Sequence, residues 1–191
     1  MRVKSNDFIA VTGKANAGKT YWIREHIRRI PPNRLRIIDY NCNDYQDFRR
    51  AGVDTLNFAS GDNADIDRFM GKAFREGNIF LICEESDNYL ANPSITATRF
   101  VNTGRNRGCG AIMNFKRAKN VKPQFRTRFN KIVAFQSTLS DDIRYLEEWA
   151  GIERGGLDSL RRLRQGEYII IDLDSQTISD TPLKIRGEQK K

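Results

Sequence analysis

FIAVTGKANAGKTYWIREHIRRI, residues Phe8 to Ile30, passes from an apolar run through a glycine-bounded loop into a helical pattern. Within it, Gly13-Lys14-Ala15-Asn16-Ala17-Gly18-Lys19-Thr20 fits G-x-x-x-x-G-K-[ST] without a mismatch. Gly13 and Gly18 let the backbone turn so tightly that successive N–H groups point inward at an anion. The helix that follows adds free N–H donors and the positive end of its dipole. Lys19 brings a point charge to the β- and γ-phosphates, and the Thr20 hydroxyl is placed to ligate Mg²⁺. Residues Gly13 through Thr20, with Tyr21 after them, are therefore the candidate nucleotide contacts. A bare glycine-rich turn would bind nothing, but this one lies where a strand is expected to meet a helix, which is the context phosphate binding requires.

The rest of the chain sets limits on that reading. Its 191 residues suit one well-buried domain, expected over 1–181, with a polar tail over 182–191. A net charge of +9 with a pI near 9.7 points to a polyanionic partner rather than to a merely solvated surface. Cys42, Cys83 and Cys109 have no metal-binding spacing, and reduced thiols are the default for such a set. A single histidine, His26, excludes a histidine-based metal site and reads as a helix-face residue. No stretch approaches the roughly 18 apolar residues of a membrane span, so membrane contact would need a partner.

In chain order, Phe8–Val11 reads as a buried strand and Lys19–Ile30 as a helix stopped by Pro31 and Pro32. A second strand is expected over Arg34–Asp39, a short helix over Asp44–Ala51 and a small strand over Thr55–Phe58. Asp62 or Asp65 can cap a helix running to Arg75, which Gly77-Asn78 breaks. Ile79-Phe80-Leu81-Ile82-Cys83 is continuously apolar, the mark of a central parallel strand. Further helices are expected over Ser94–Thr103, Ser140–Ala150 and Leu157–Leu163, and further strands over Ala111–Phe115 and Lys131–Phe135. Tyr168–Leu173 and Gln176–Ser179 form a terminal strand pair joined through Asp174-Ser175. Strands alternating with helices predict an α/β fold, a mainly parallel sheet covered on both faces.

Hydrolysis needs acids as well as a phosphate cradle. Glu84 and Glu85 directly follow the apolar run and are the candidates, Glu84 for Mg²⁺ and Glu85 for the attacking water. Aspartate is the usual first acid, so the two roles are open to exchange. Asp39, ending the second strand, reads as a helix cap in preference to a member of the site. From Arg99 to Lys131 there are ten basic residues and no acidic one. Arg117, Lys119, Lys122, Arg126 and Arg128 are the candidate nucleic-acid contacts within it, and an arginine of the same stretch can serve a neighbouring subunit's nucleotide. No base-reading motif is present, so binding would be independent of sequence. The interleaved Phe115, Phe125 and Phe129 read as core rather than stacking platforms.

Thr103-Gly104-Arg105-Asn106-Arg107-Gly108, the strand Ala111–Phe115 and then Lys116-Arg117 resemble the approach to the fourth core strand of FtsK–HerA-type ATPases. Arg128–Phe135 followed by Ser140-Asp141-Asp142, and Leu163–Tyr168, are similar to the same superfamily. The resemblance spans residues 8 to 173 and implies a RecA/FtsK-like three-layer P-loop NTPase sandwich with a short C-terminal antiparallel pair. It further implies ATP and Mg²⁺ as ligands, double-stranded DNA as partner, and a homo-oligomeric ring of five or six. Among such motors, a chain with so little outside the core is most like the small genome-packaging ATPases of membrane-containing icosahedral viruses. That implies a host-cytoplasmic protein working at a capsid vertex or beside a membrane component. The alternatives are a cellular conjugation-type translocase and a P-loop small-molecule kinase. The superfamily's trans-acting arginine falls on Arg105 or Arg107. Its γ-phosphate-sensing glutamine falls on Lys116, with Asn114 two residues earlier as the other candidate.

Overall fold

The structure, a computed structural model, describes residues 3–58, 63–179 and 181–185. Nine strands form one sheet: β1 (Phe8–Thr12), β2 (Leu35–Asp39), β3 (Asp54–Asn57), β4 (Phe80–Cys83), β5 (Gly110–Phe115), β6 (Lys131–Phe135), β7 (Glu167–Asp172), β8 (Thr177–Ile178) and β9 (Leu183–Lys184). Their order is β3-β2-β4-β5-β1-β6-β7-β8, with β9 also pairing β7. The six strands from β3 to β6 are mutually parallel, and β7 to β9 are antiparallel additions at one edge. The helices are α1 (Lys19–Ile27), α2 (Gln46–Arg50), α3 (Asn63–Glu76), α4 (Asp87–Leu90), α5 (Ile95–Thr103), α6 (Pro123–Arg126) and α7 (Ser140–Ala150).

Alternation along the strands fills both faces, as a doubly covered parallel sheet demands. Ile9, Val11, Ile82, Ile112 and Val133 pack with Trp22, Ile23 and Ile27 of α1 and Phe48 of α2. On the other face, Phe8, Ala10, Leu81, Ala111 and Met113 pack with Met70 and Ala73 of α3 and Phe100 of α5. That layer continues under α7, where Ile132 and Ala134 meet Ile143 and Leu146. The result is the expected three-layer sandwich.

Several elements differ from their sequence reading. Leu157–Leu163 was expected as an α-helix and is a 3-10 turn over Asp158–Arg162. Leu157, Leu160 and Leu163 recur every third residue and all are buried, which is the period of a 3-10 turn rather than of an α-helix. Helix α1 ends at Ile27, three residues short of the expected Ile30. Strand β9, inside the segment read as polar tail, adds to the free edge of β7 beside β8. Asp62, one of the two cap candidates, and residues 186–191 of that tail lie outside the described residues.

Candidate active site

In a parallel sheet, the loops leaving the strand carboxyl ends share one edge. The loops after β1, β2, β4 and β5 therefore meet, and they carry the residues singled out above. Gly13 (φ +138), Asn16 (φ +59) and Gly18 (φ +105) give the loop after β1 its inward-turned backbone. At Gly13 a side chain is excluded twice: by the dihedral and by Phe135 Cβ, 2.7 Å from where a Cβ would stand. Gly18 caps α1 with no side-chain hydrogen bond, so the first-turn N–H groups are left for an anion. Lys19 folds back over the loop and donates from Nζ to Gly13 O at 2.7 Å and Lys14 O at 2.9 Å. Burial lowers its pKa below the usual lysine value, and the charges of Glu84, Glu85 and Asp87 work against that shift.

Beside the loop is an open cavity of about 460 Å³, within the size range of small-ligand sites. Ala15, Asn16, Gly18, Lys19, Thr20 and Tyr21 line one side. Asn41 and Asp44 after β2, Glu85 after β4, Asn114 and Lys116 around the end of β5, and Gln165 line the rest. Lys14 instead faces a smaller cavity on the other side of the loop, toward Ser137 and Asp142.

The two acids are placed differently. Glu84 is buried; its Oε1 accepts from Tyr45 Oη and its Oε2 from Asn114 Nδ2. Burial raises its pKa above the ordinary range, and Tyr45, Asn114 and the nearby Thr20 hydroxyl oppose the rise. Glu85 sits in the left-handed region at φ +51, and its carboxylate meets Lys116 Nζ at 2.5 Å. That ion pair lifts the Lys116 pKa. Asp39 is buried and its Oδ2 accepts from Tyr45 N, the residue preceding α2, at 3.3 Å.

A hard divalent cation fits this set. Thr20 and Glu84 offer oxygen ligands only, and Asn114 Oδ1 is a buried acceptor with no partner beside them. Among the described residues no cluster of three or more His, Cys, Asp or Glu could hold a metal by itself.

Four contributors escaped the sequence reading: Tyr45, Asn41, Asp44 and Gln165. Tyr45 reads as one more core aromatic, and nothing local announces that its hydroxyl reaches a carboxylate 39 residues away. Gln165 could have been found, since it lies in the Leu163–Tyr168 stretch already singled out. Gly166 N donates to Ala17 O at 2.9 Å, which fastens that turn to the phosphate loop.

Arg105 and Arg107 lie elsewhere. Both precede β5 and so stand at the opposite, amino-terminal edge of the sheet from their own loop. Arg105 is exposed and its guanidinium lies over the Phe8 ring. Arg107 donates to Phe74 O and Arg75 O, at the carboxyl end of α3. The basic segment is also divided in space. Lys116, Arg117, Lys119 and Lys122 follow β5 at the cavity edge, whereas Arg99, Arg105 and Arg107 precede it at the other. Acids from other elements neutralise part of it: Arg117 pairs with Asp142, and Lys131 with Asp7. Arg126 lies over the Tyr145 ring, and Arg128 donates to Asn102. Phe115, Phe125 and Phe129 are core.

The fold is that of a P-loop NTPase, with β5 inserted between the phosphate-loop strand β1 and the acid-bearing β4. Solved structures with this fold include the genome packaging NTPase B204 from Sulfolobus turreted icosahedral virus 2 in complex with AMPPCP. The two superpose at a TM-score of 0.74 with 18% identity, over 93% of this chain and 97% of that one. The cytoplasmic domain of the type VII secretion ATPase EccC of Thermomonospora curvata matches at 0.69 and 15% identity, over 97% of this chain and 24% of that one. EssC (ATPases 2 and 3) of Geobacillus thermodenitrificans matches at 0.63 and 13%, over 87% and 37%. At these identities the likeness is one of fold. No protein-family model matches the sequence, and no curated protein sequence does either. No described helix is long and apolar enough to cross a membrane.

Proposed function

We propose that the chain is an ATP hydrolase of the FtsK–HerA superfamily that drives double-stranded DNA through a ring of its own copies, as a viral genome-packaging motor. The observation that carries this reading is that Lys19, Thr20, Glu85 and Asn114 line one cavity, with Glu84 bonded to Asn114 beside it. The fold match to B204, a genome packaging NTPase, over nearly the full length of both chains supports the packaging role.

The loop N–H groups and Lys19 bind the phosphates, Lys19 exchanging its carbonyl partners for phosphate oxygens. Thr20 and Glu84 would hold Mg²⁺, which would supply charge neutralisation at the phosphates. Glu84, with its oxygens already bonded to Tyr45 and Asn114, chiefly orients Thr20 and the water shell. Glu85, less enclosed and facing the cavity, orients the attacking water. Arg105 stands too far round the sheet to serve its own nucleotide and is the candidate for a neighbour's; Arg107 is engaged with α3. Lys119 and Lys122, on the segment after β5, offer the DNA backbone positive charge beside the site, with Arg117, Arg126 and Arg128 around them.

The test is an ATPase assay with and without double-stranded DNA, on the intact chain, on Glu85→Gln, on Arg105→Ala and on the two variants mixed. Stimulation by DNA, loss in each variant and partial recovery on mixing are expected, because some mixed interfaces pair intact halves. A monomer at full rate and indifferent to DNA, or phosphate transfer to a small acceptor, would overturn the reading.

A further inference from the structure

The cavity beside the phosphate loop has two flanks. Glu85 and Lys116 follow β4 and β5 on one side of the loop after β1, and Gln165 precedes β7 on the other. Under the reading above the first flank takes the phosphates, which leaves the second to the base. The turn that carries Gln165 is held on every side. Gly166 N donates to Ala17 O at 2.9 Å, Ile185 N to Gly166 O at 2.9 Å, and Glu167 N to Arg164 O at 3.0 Å. Arg164 N in turn donates to Glu167 Oε2 at 2.8 Å. Gly166, at φ +80, passes so close to the loop that its Cα is 3.4 Å from where a Cβ on Gly18 would stand. Tyr21 lies one helical turn after Gly18 and on the same face of α1, so Gln165 and Tyr21 meet around that glycine. Tyr21 is 40% exposed. Gln165 is exposed too, and neither side chain has a hydrogen bond or ring contact among the described residues. A rigid backbone thus presents a free amide beside an uncovered ring.

We infer that Tyr21 and Gln165 are the base-reading pair of the site, and that they select purine nucleoside triphosphates as a class without separating ATP from GTP. This rests on the nucleotide-binding reading above and adds the identity of the base to it. Tyr21 supplies a face on which a base stacks, and the two-ring purine covers more of that face than a pyrimidine does. Gln165 supplies a donor and an acceptor side by side. Adenine offers its N6 donor and N1 acceptor; guanine offers its O6 acceptor and N1 donor. The amide meets either pair, because half a turn about its last bond exchanges oxygen and nitrogen, and no protein contact holds it in one sense. Strong discrimination arises where a mismatched ligand leaves buried polar groups unpaired. An exposed amide at an open cavity turns to water instead, so the wrong purine costs little.

The experiment measures binding of the β,γ-methylene analogues of ATP, GTP, CTP and UTP, with Mg²⁺ present, to the intact chain, Tyr21→Ala, Tyr21→Phe, Gln165→Ala and Gln165→Glu. For the intact chain the two purine analogues bind within about threefold of each other and about tenfold more tightly than the pyrimidine ones. Tyr21→Ala closes most of that gap, and Tyr21→Phe, which keeps the ring, keeps it. Gln165→Ala weakens both purine analogues by a similar factor. Gln165→Glu can only accept, so it favours guanine, whose N1 and N2 both donate, by about tenfold over adenine. Each readout is a ratio within one protein, so lowered stability of a variant does not mimic it. An intact chain that prefers one purine over the other by more than about thirtyfold overturns the inference, as that requires a fixed polar partner. A purine ratio unmoved in Gln165→Glu, or a purine–pyrimidine gap unmoved in Tyr21→Ala, overturns it equally. If the intact chain binds none of the four analogues, the nucleotide-site reading fails and the base preference with it. Tight and equal binding of all four rejects the base-reading pair alone.

Discussion

Glu84 shows how much of the site depends on single polar atoms. A carboxylate with almost no exposure is tolerable only while its oxygens are hydrogen-bonded, and Tyr45 and Asn114 supply the donors. Tyr45→Phe removes one donor and leaves the buried oxygen unmet, a loss of about 1–3 kcal/mol of stability. The loss should shrink when Glu84→Gln is already present, because the residues are coupled; chemical denaturation of the four proteins of that cycle measures it. Equal losses in both backgrounds would show that the hydroxyl does not act through Glu84. At Gly13, alanine meets both an unfavourable φ and Phe135. Gly13→Ala is expected to cost about 1–3 kcal/mol in the same assay and to weaken ATP binding, since the loop must shift to admit the methyl. The loop itself was plain in the sequence because each of its atoms works locally. The Glu84 cage was not, because its members come from separate elements, Tyr45 from the loop after β2 and Asn114 from β5, and only the fold assembles them.

Among the elements, the strands carrying the site were readable from their apolar runs. Phe80–Cys83 is buried throughout, as Ile79–Cys83 suggested, and the acids at its end fell where the parallel topology requires. Strand β9 was invisible because two residues, Leu183 and Lys184, have no period to read. The acid-free stretch 99–131 misled in a different way, since its neutralising partners, Asp7, Glu85 and Asp142, are near it only in space. One of those partners gives β1 and β6 a pH-sensitive tie. Asp7 is buried at the start of β1, where Lys131 Nζ and Asn130 Nδ2 each donate to it at 2.8 Å. Burial alone would raise its pKa, but those bonds and the Lys4 N–H outweigh it and hold the carboxyl below the usual value of 3.8. A lowered folded-state pKa means stability that is present above pH 3.8 and is lost as the pH falls through the folded value. Asp7→Asn should therefore be less stable than the intact chain near neutral pH, by up to about 3–5 kcal/mol since it strands a buried lysine. The two urea midpoints should converge in strong acid. A gap that stays constant from neutral pH to strong acid would assign the loss to packing instead.

For the whole molecule, the basic residues of the 99–131 stretch are divided between two sheet edges, not gathered into one stripe. Lys119 and Lys122 share the cavity edge, whereas Arg99 and Arg105 stand at the far edge, the one the proposed ring assembly would offer to a neighbouring copy. DNA affinity should thus fall with salt less steeply than it would if all ten basic residues of the 99–131 stretch met phosphates. Lys119→Gln with Lys122→Gln should flatten the slope of log K against log salt by about 0.9 for each phosphate no longer neutralised. A titration series at rising salt checks this, and an unchanged slope would move DNA to another surface. The ATP reaction at the centre of the proposal is tested most directly by measuring ATP binding and turnover on Glu85→Gln. Binding close to that of the intact chain with turnover reduced about 10²- to 10⁴-fold is the predicted result. Glu85→Gln hydrolysing ATP at the intact chain's rate would contradict it.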